Sequence, residues 1–521
     1  MENDLKSLLR SWSQSPISRR SLIGAMALTV LAESSIGKAF GVTTPSFTQI
    51  LGRPTSNSIS LSLLANESIS AYLEYGYAKG KYGYKSLSKD LKVGTPGVYE
   101  LTGLKVNSKI YYRVRTITNG VEAIGKEYSF STQKKSGTTF SFTVQGDTHP
   151  ERAGKMFNSE LYYVTMSNIA KQQPDFHILL GDDFSIDPLI DKGQANQANV
   201  EQIYKTHRNW LGVAGSSVPI YLVNGNHEQA AAYLLDGSKT NPAVLAGNAR
   251  NKFYPLPSPG KFYSGDTYEI PGVGLPRDYY AWTWGDALFL TLDPYWHSKF
   301  AVDNVAGVLA PEDQSASAIS DTSTVTNKKG GAKAADKPAK PAGGGAAKVD
   351  NLWKVGIGDE QYAWFKKTLE TSKAKYKFVF AHHVLGTGRG AVEVSTNYEW
   401  GGADPKGTST FAKERPNWSL PIHDLMVKNG VQIFFQGHDH IFCTQERDGL
   451  IYQSMPNPAD DTFSMFNESA YKSGFKAPNS GHARILVSPA EAKVEYFLAA
   501  RPSDSGRTNM QLAHSYVVKP K

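Results

Sequence analysis

The chain holds a single cysteine, Cys443, so no internal disulfide can form. An oxidising compartment remains open to it all the same, because 521 residues can build a sufficient core without such staples. Long apolar runs are also missing. No stretch reaches the roughly 18 residues that a transmembrane helix needs. No aromatic–basic signature of a nucleic-acid-binding motif is present, although the basic residues are unevenly spread. Residues 40–135 carry 13 basic against 6 acidic side chains, most of the net charge of +8. Such a surplus suits either a solvated face or contact with anionic polymers and surfaces. Apolar content of 40% and charged content of 20% describe a soluble globular protein, and the length predicts two or three domains.

The N-terminus has its own pattern. Ser18-Arg19-Arg20-Ser21-Leu22-Ile23 opens an apolar run from Leu22 to Ala32, and Gly37-Lys38-Ala39 offers small residues for cleavage. Residues 1–39 resemble a twin-arginine signal. That resemblance implies export of a folded protein by the twin-arginine translocase, and a periplasmic or secreted location.

Residues 44–134 read as short strands separated by Gly, Pro, Asn and Ser: 58–64, 70–77, 97–104, 109–117 and 126–132. Their alternation predicts a small β-sandwich. The stretch YELTGLKVNSKIYYRVRT resembles the late strands of a fibronectin type III module. From residue 138 the rhythm changes. Apolar strands at 139–144, 175–180, 218–223, 287–292, 377–381 and 431–435 alternate with helical spacing at 155–173, 200–215, 359–372 and 421–429. This predicts a layered α/β domain over 138–500, with 501–521 as a C-terminal extension. Residues 311–350, rich in Ala, Gly, Lys and Pro, interrupt it as a disordered insertion.

Five of the apolar strands run into polar clusters. They are Asp147-Thr148-His149, Gly181-Asp182-Asp183, Gly225-Asn226-His227-Glu228, Ala381-His382-His383 and Gly437-His438-Asp439-His440. Ligands of open α/β sheets collect beyond the carboxyl ends of the strands, so all five clusters converge on one rim. Imidazole and carboxylate without thiolate suit Zn, Fe or Mn. One ion needs three or four protein ligands, and the clusters offer more, so two divalent or trivalent ions are expected.

In this order, the clusters D-x-H, G-D, G-N-H-E, strand-end His and G-H-x-H resemble the calcineurin-like metallophosphoesterases. With the module in front they are similar to the purple acid phosphatase branch. The resemblance implies a two-sheet sandwich flanked by helices, preceded by the small all-β module. It implies that Asp147, His149, Asp182 and His440 hold one metal, and that Asp182, Asn226, His382 and His438 hold the other, with Asp182 bridging. The family pattern favours His382 over His383. His227 faces the substrate as a proton donor, while Glu228 and Asp439 orient ligands. The implied reaction is hydrolysis of a phosphate ester by metal-bound hydroxide, with ions roughly 3.5–4 Å apart. Arg389 in GTGRG is a candidate phosphate clamp or a solvated loop residue. Tyr295 and Trp296 are candidates for the cleft wall or for packing under the insertion.

One departure matters. The purple enzymes carry a tyrosine ligand three residues after the bridging Asp, where this chain has Ser185. No tyrosinate-to-iron colour is expected, and the metals are open. Monoesterase, phosphodiesterase and nucleotidase readings all fit the motifs. So does a cell-surface binding protein built on an inactive scaffold.

Overall fold

Strands such as Phe176–Leu179, Ala287–Thr291 and Ile433–Gln436 are buried along their whole length. Strands of this kind persist only where both faces of a sheet are covered. The computed structural model describes residues 46–298, 300, 302, 352–384 and 389–521. The expected export signal and the insertion at 311–350 lie outside the described residues.

Two sheets face each other. In a nine-stranded sheet, Phe140–Gln145, Phe176–Leu179 and Ile220–Leu222 run parallel at the centre. In an eight-stranded sheet, Ala287–Thr291, Tyr376–Phe380 and Ile433–Gln436 do the same. The core between them is aromatic: Phe142, Phe176, Phe289, Phe378, Phe380 and Phe435 pack with Trp282 and Trp284. Each such buried side chain contributes about 2–3 kcal/mol. The outer faces are covered by helices. Ser159–Gln172, Gln197–Gly215 and Pro242–Phe253 pack over the first sheet. Gly358–Thr371 and Ile422–Lys428 pack over the second. Asparagine caps start the first three: the side chains of Asn158, Asn196 and Asn241 each accept a backbone N–H of the first turn.

The chain from Thr48 to Lys521 is one compact unit. The expected division at residues 134–138 is less clean than the change of rhythm implies. Part of the all-β region, Phe47–Gly52, Ile59–Ala65 and Gly97–Leu101, continues the nine-stranded sheet past Ile220–Leu222. The rest, with Ile69–Gly76 and Lys109–Thr118 at its centre, forms a separate sheet. At the other end, Leu512–Val518 pairs with Ala492–Leu498 as the edge strand of the nine-stranded sheet. Residues 501–521 are thus no separate extension. Of its seven residues only Val518 is buried, which hides the strand from a search for apolar runs. Among the described residues no helix is long and apolar enough to cross a membrane.

Arg208 fastens the two regions. It is fully buried on the helix Gln197–Gly215 and donates to the Ser62 carbonyl at 2.8 Å, to Thr48 Oγ1 at 3.1 Å and to the Phe253 carbonyl. Burial pulls its guanidinium down to about 10. Replacing it leaves these acceptors buried without donors. Arg208→Leu is expected to lower the unfolding free energy by about 3 kcal/mol. A denaturant midpoint that does not move would contradict this role.

Candidate metal centre

Parallel strands in both sheets point their carboxyl ends the same way, so the five loops that follow them meet. Their backbones approach closely, and the glycines make this possible. A Cβ on Gly225 would stand 2.2 Å from Asp182 Oδ1, and one on Gly437 would stand 2.3 Å from Asp147 Oδ1. Four of the expected ligands, His149, Asp182, His438 and His440, have φ between +49° and +66°. That left-handed region costs a residue with a side chain about 1–2 kcal/mol, and the surrounding packing must hold it.

Glu228 supplies part of that hold. Its Oε2 accepts the N–H groups of Asp182 at 3.0 Å and Gly225 at 2.7 Å. Its Oε1 accepts those of Asp183 at 2.7 Å and Phe184 at 3.0 Å. One carboxylate thus ties two of the loops together. Asp439 does similar work on the fifth loop, accepting the Gly390 N–H at 2.8 Å and the Tyr471 hydroxyl at 2.6 Å.

Each central carboxylate then divides its two oxygens. Asp182 Oδ1 accepts the His227 N–H at 2.9 Å, and Asp147 Oδ1 accepts the His438 N–H at 2.7 Å. The second oxygens face inward. Asp182 Oδ2 lies 3.2 Å from His382 Nε2 and 3.6 Å from His149 Nε2. Asp147 Oδ2 lies 3.1 Å from His440 Nε2, 3.7 Å from His149 Nε2 and 3.9 Å from His382 Nε2. Asn226 Oδ1 and His438 Nδ1 stand 3.0 and 3.1 Å from His382 Nε2. All seven expected ligands are therefore in one place, with Asp182 between the two halves.

The donor set fits cations. His382 Nδ1 pairs with the Leu180 carbonyl at 2.8 Å, and His149 Nδ1 with Glu151 Oε1 at 2.8 Å. Both therefore turn Nε2 to the centre, the atom through which such an imidazole ligates a metal once it gives up its proton. The charges agree. Burial opposes ionisation of Asp147 and Asp182, yet nearby imidazoles, His382 foremost, outweigh it and hold both carboxyls below their usual range. Against the opposing effect of burial, Asp182 and Asp147 raise His382 to about 10, so the pocket draws positive charge inward. Asp183 behaves differently. Burial, then the neighbouring Glu228, pushes it well above the carboxylate range, and it accepts the Thr148 hydroxyl at 2.8 Å.

His227 stands at the mouth, with its side chain 22% exposed and its Nε2 3.9 Å from Asp182 Oδ2. Its Nδ1 pairs with Asp187, whose other oxygen accepts the Gln229 amide at 2.7 Å. Burial would lower it, but Asp182 and Asp187 raise it to about 10. Arg152, on the turn Pro150–Arg152, places Nη2 3.1 Å from His227 Nε2. Neither Asp187 nor Arg152 stands out in the sequence. The only hint is that each lies within a few residues of a ligand motif.

Arg389 lies at the rim, where it donates to the His438 carbonyl and sits 3.3 Å from Asp439 Oδ1. Tyr295 is buried, its hydroxyl 3.3 Å from His383 Nδ1. Trp296 is 4% exposed and belongs to the core under the helix Pro242–Phe253, where a Cβ on Gly247 would reach its indole at 3.3 Å. Its apolar ring is accommodated by packing, not by an open cleft.

Comparison with known proteins agrees with this geometry. The sequence model for calcineurin-like phosphoesterases matches residues 140–442, and the chain belongs to that family. Fold and site together define a metal-dependent phosphoesterase. The solved structure of PhoD is 15% identical, covers 91% of this chain and 90% of its own, and superposes with a TM-score of 0.58, which shows the same fold. GAP50, the anchor in the inner membrane complex of Plasmodium, is 10% identical over 74% of this chain and 89% of its own, with a TM-score of 0.33. A human fibronectin type III domain covers 19% of this chain and 82% of its own, at 13% identity and a TM-score of 0.15. No curated protein matches the chain.

Gly225→Ala is expected to displace Asp182 and weaken metal binding about tenfold or more while the fold persists. Equilibrium dialysis with circular dichroism checks this. Unchanged affinity would show that the close approach at Gly225 is not required.

Proposed function

We propose that the chain is an exported hydrolase of phosphate esters that works with two metal ions. The observation that carries this reading is the convergence of five strand-end clusters around Asp147 and Asp182. In this reading Asp147, His149, Asp182 and His440 hold one ion, and Asp182, Asn226, His382 and His438 the other. The position of Asp182 Oδ2 near both His149 and His382 supports a bridge. When bound, two such ions neutralise the phosphoryl oxygens and make water acidic enough to act as the nucleophile. Imidazole and carboxylate ligands leave Fe, Zn and Mn open.

The chain's own groups do the rest. Arg152 sets positive charge beside the mouth, where it would steer and clamp the substrate phosphate. His227, oriented by Asp187 through Nδ1, would give a proton from Nε2 to the leaving oxygen once the substrate phosphate draws the Arg152 guanidinium away from that nitrogen. Arg389 and Asp439 fix the backbone that carries His438 and His440. Ser185 occupies the place of the purple enzymes' tyrosine, so iron-loaded protein should show no visible band that a Tyr→Phe substitution abolishes. Export rests on the twin-arginine pattern at Arg19 and Arg20.

The test is a panel of aryl phosphates, bis-aryl phosphates and nucleotides, each assayed with Zn, Mn, Fe and Mg. Wild type should turn over at least one class, and Asp182→Asn should lose about a thousandfold or more in kcat. Full activity in the variant, or no turnover by the metal-loaded wild type, would overturn the reading. Asp187→Asn should slow alkyl phosphates, which need a proton on the leaving oxygen, far more than nitrophenyl phosphates. An equal loss on both would remove His227 from that role.

A further inference from the structure

A sixth strand end also carries polar side chains. After Ala287–Thr291 come Asp293, Tyr295, Trp296 and His297. Asp293 Oδ1 accepts the N–H groups of Tyr295 at 2.6 Å and Trp296 at 3.2 Å, which turns the chain back on itself. His297 is thereby aimed at the neighbouring edge of the sheet, with Nε2 2.8 Å from Asp278 Oδ2. Asp278 lies just before the strand Tyr280–Trp284, and Asp266 just after its partner Ser264–Gly265. One ligand atom from each of Asp266, Asp278 and His297 lies within 4.8 Å of the others.

This cluster differs from an ordinary surface group of acids. Asp278 is fully buried and Asp266 is 1% exposed. Asp278 Oδ1 and Asp266 Oδ2 are buried with no hydrogen-bond partner except, when one carboxyl is protonated, each other. Among the described residues only His297 forms an ion pair with either carboxylate. Two carboxylates facing one imidazole leave negative charge in a dry place, and such charge is costly unless matched. Burial, then the neighbouring Asp278, accordingly pushes the Asp266 carboxyl up to about 7. The Tyr279 ring lies 5.1 Å from His297 and is itself backed by Trp364 at 4.7 Å.

We propose that Asp266, Asp278 and His297 form a further divalent-cation site, separate from the strand-end centre. Two carboxylates and one imidazole suit zinc or manganese, with water completing the shell. The ion would tie the edge hairpin to the loop that holds Tyr295 against His383. The same loop holds Asp293, whose Oδ2 accepts the amide of Asn224 at 2.6 Å, two residues before Asn226. It would thus brace the two loops that carry Asn226 and His383. The proposal concerns metal binding alone and does not depend on the phosphoesterase reading.

The experiment uses the full chain, stripped with chelator and reloaded with zinc alone. Zinc per chain is counted in wild type, in His297→Gln and in a variant with Asp147 and Asp182 both changed to Asn. His297→Gln should bind one zinc fewer than wild type. The double variant should keep one zinc, whose X-ray absorption shows a single imidazole among oxygen ligands. An equal zinc count in His297→Gln and wild type would overturn the proposal. Zinc-soaked crystals of the wild type provide a check that does not depend on any variant folding. An anomalous peak between Asp266, Asp278 and His297 supports the site, and peaks confined to the strand-end centre refute it.

Discussion

Two carboxylates, Asp147 and Asp182, are buried side by side at the ends of neighbouring parallel strands. Ionised and unmatched, such a pair would cost several kcal/mol in desolvation and repulsion. Much of the local structure answers that problem. Backbone amides of His227 and His438 take one oxygen of each carboxylate, and the imidazoles of His149, His382 and His440 surround the others. Gly225 and Gly437 are bare so that these carboxylates fit against the backbone. Glu228 sits beneath as a brace on four N–H groups. The carboxylates are matched by imidazoles that they hold in the charged form, so the place favours positive charge, the requirement of a cation site.

The architecture makes this possible at a distance. The aromatic core between the sheets keeps both sets of parallel strands in one relative position, so loops distant in sequence meet at one rim. His149 and His440, 291 positions apart, place their Nε2 atoms within 3.1 Å. The all-β region adds to that rigidity. Three of its strands extend the nine-stranded sheet, and Tyr112 donates from the separate sheet to the Ser216 carbonyl at 2.6 Å. Its basic surface is therefore carried by a part fixed to the catalytic layers.

Much of this was legible in the sequence, for a physical reason. Parallel strands buried on both faces read as plain apolar runs, and a metal cluster beginning where the run ends is a local signal. The five clusters and most of the strands and helices of the α/β region were visible that way. What escaped lacks a local signature. Leu512–Val518 buries only Val518 at a sheet edge and does not look like a core strand. Asp187 and Arg152 matter only because the fold brings them to His227. Trp296 resembles a cleft residue beside His297, yet the adjoining helix takes it into the core. Asp266, Asp278 and His297 have no regular spacing; a strand pairing brings the two carboxylates together, and the turn held by Asp293 brings His297 to them.

The proposed bridging of two ions by Asp182 is tested most directly by paramagnetic resonance on manganese-loaded protein. Two Mn ions sharing a carboxylate are magnetically coupled, whereas separate ions give independent spectra. The account predicts a coupled-pair signal in wild type that disappears in Asp182→Asn. A wild-type spectrum of isolated ions only, at full metal loading, would contradict it.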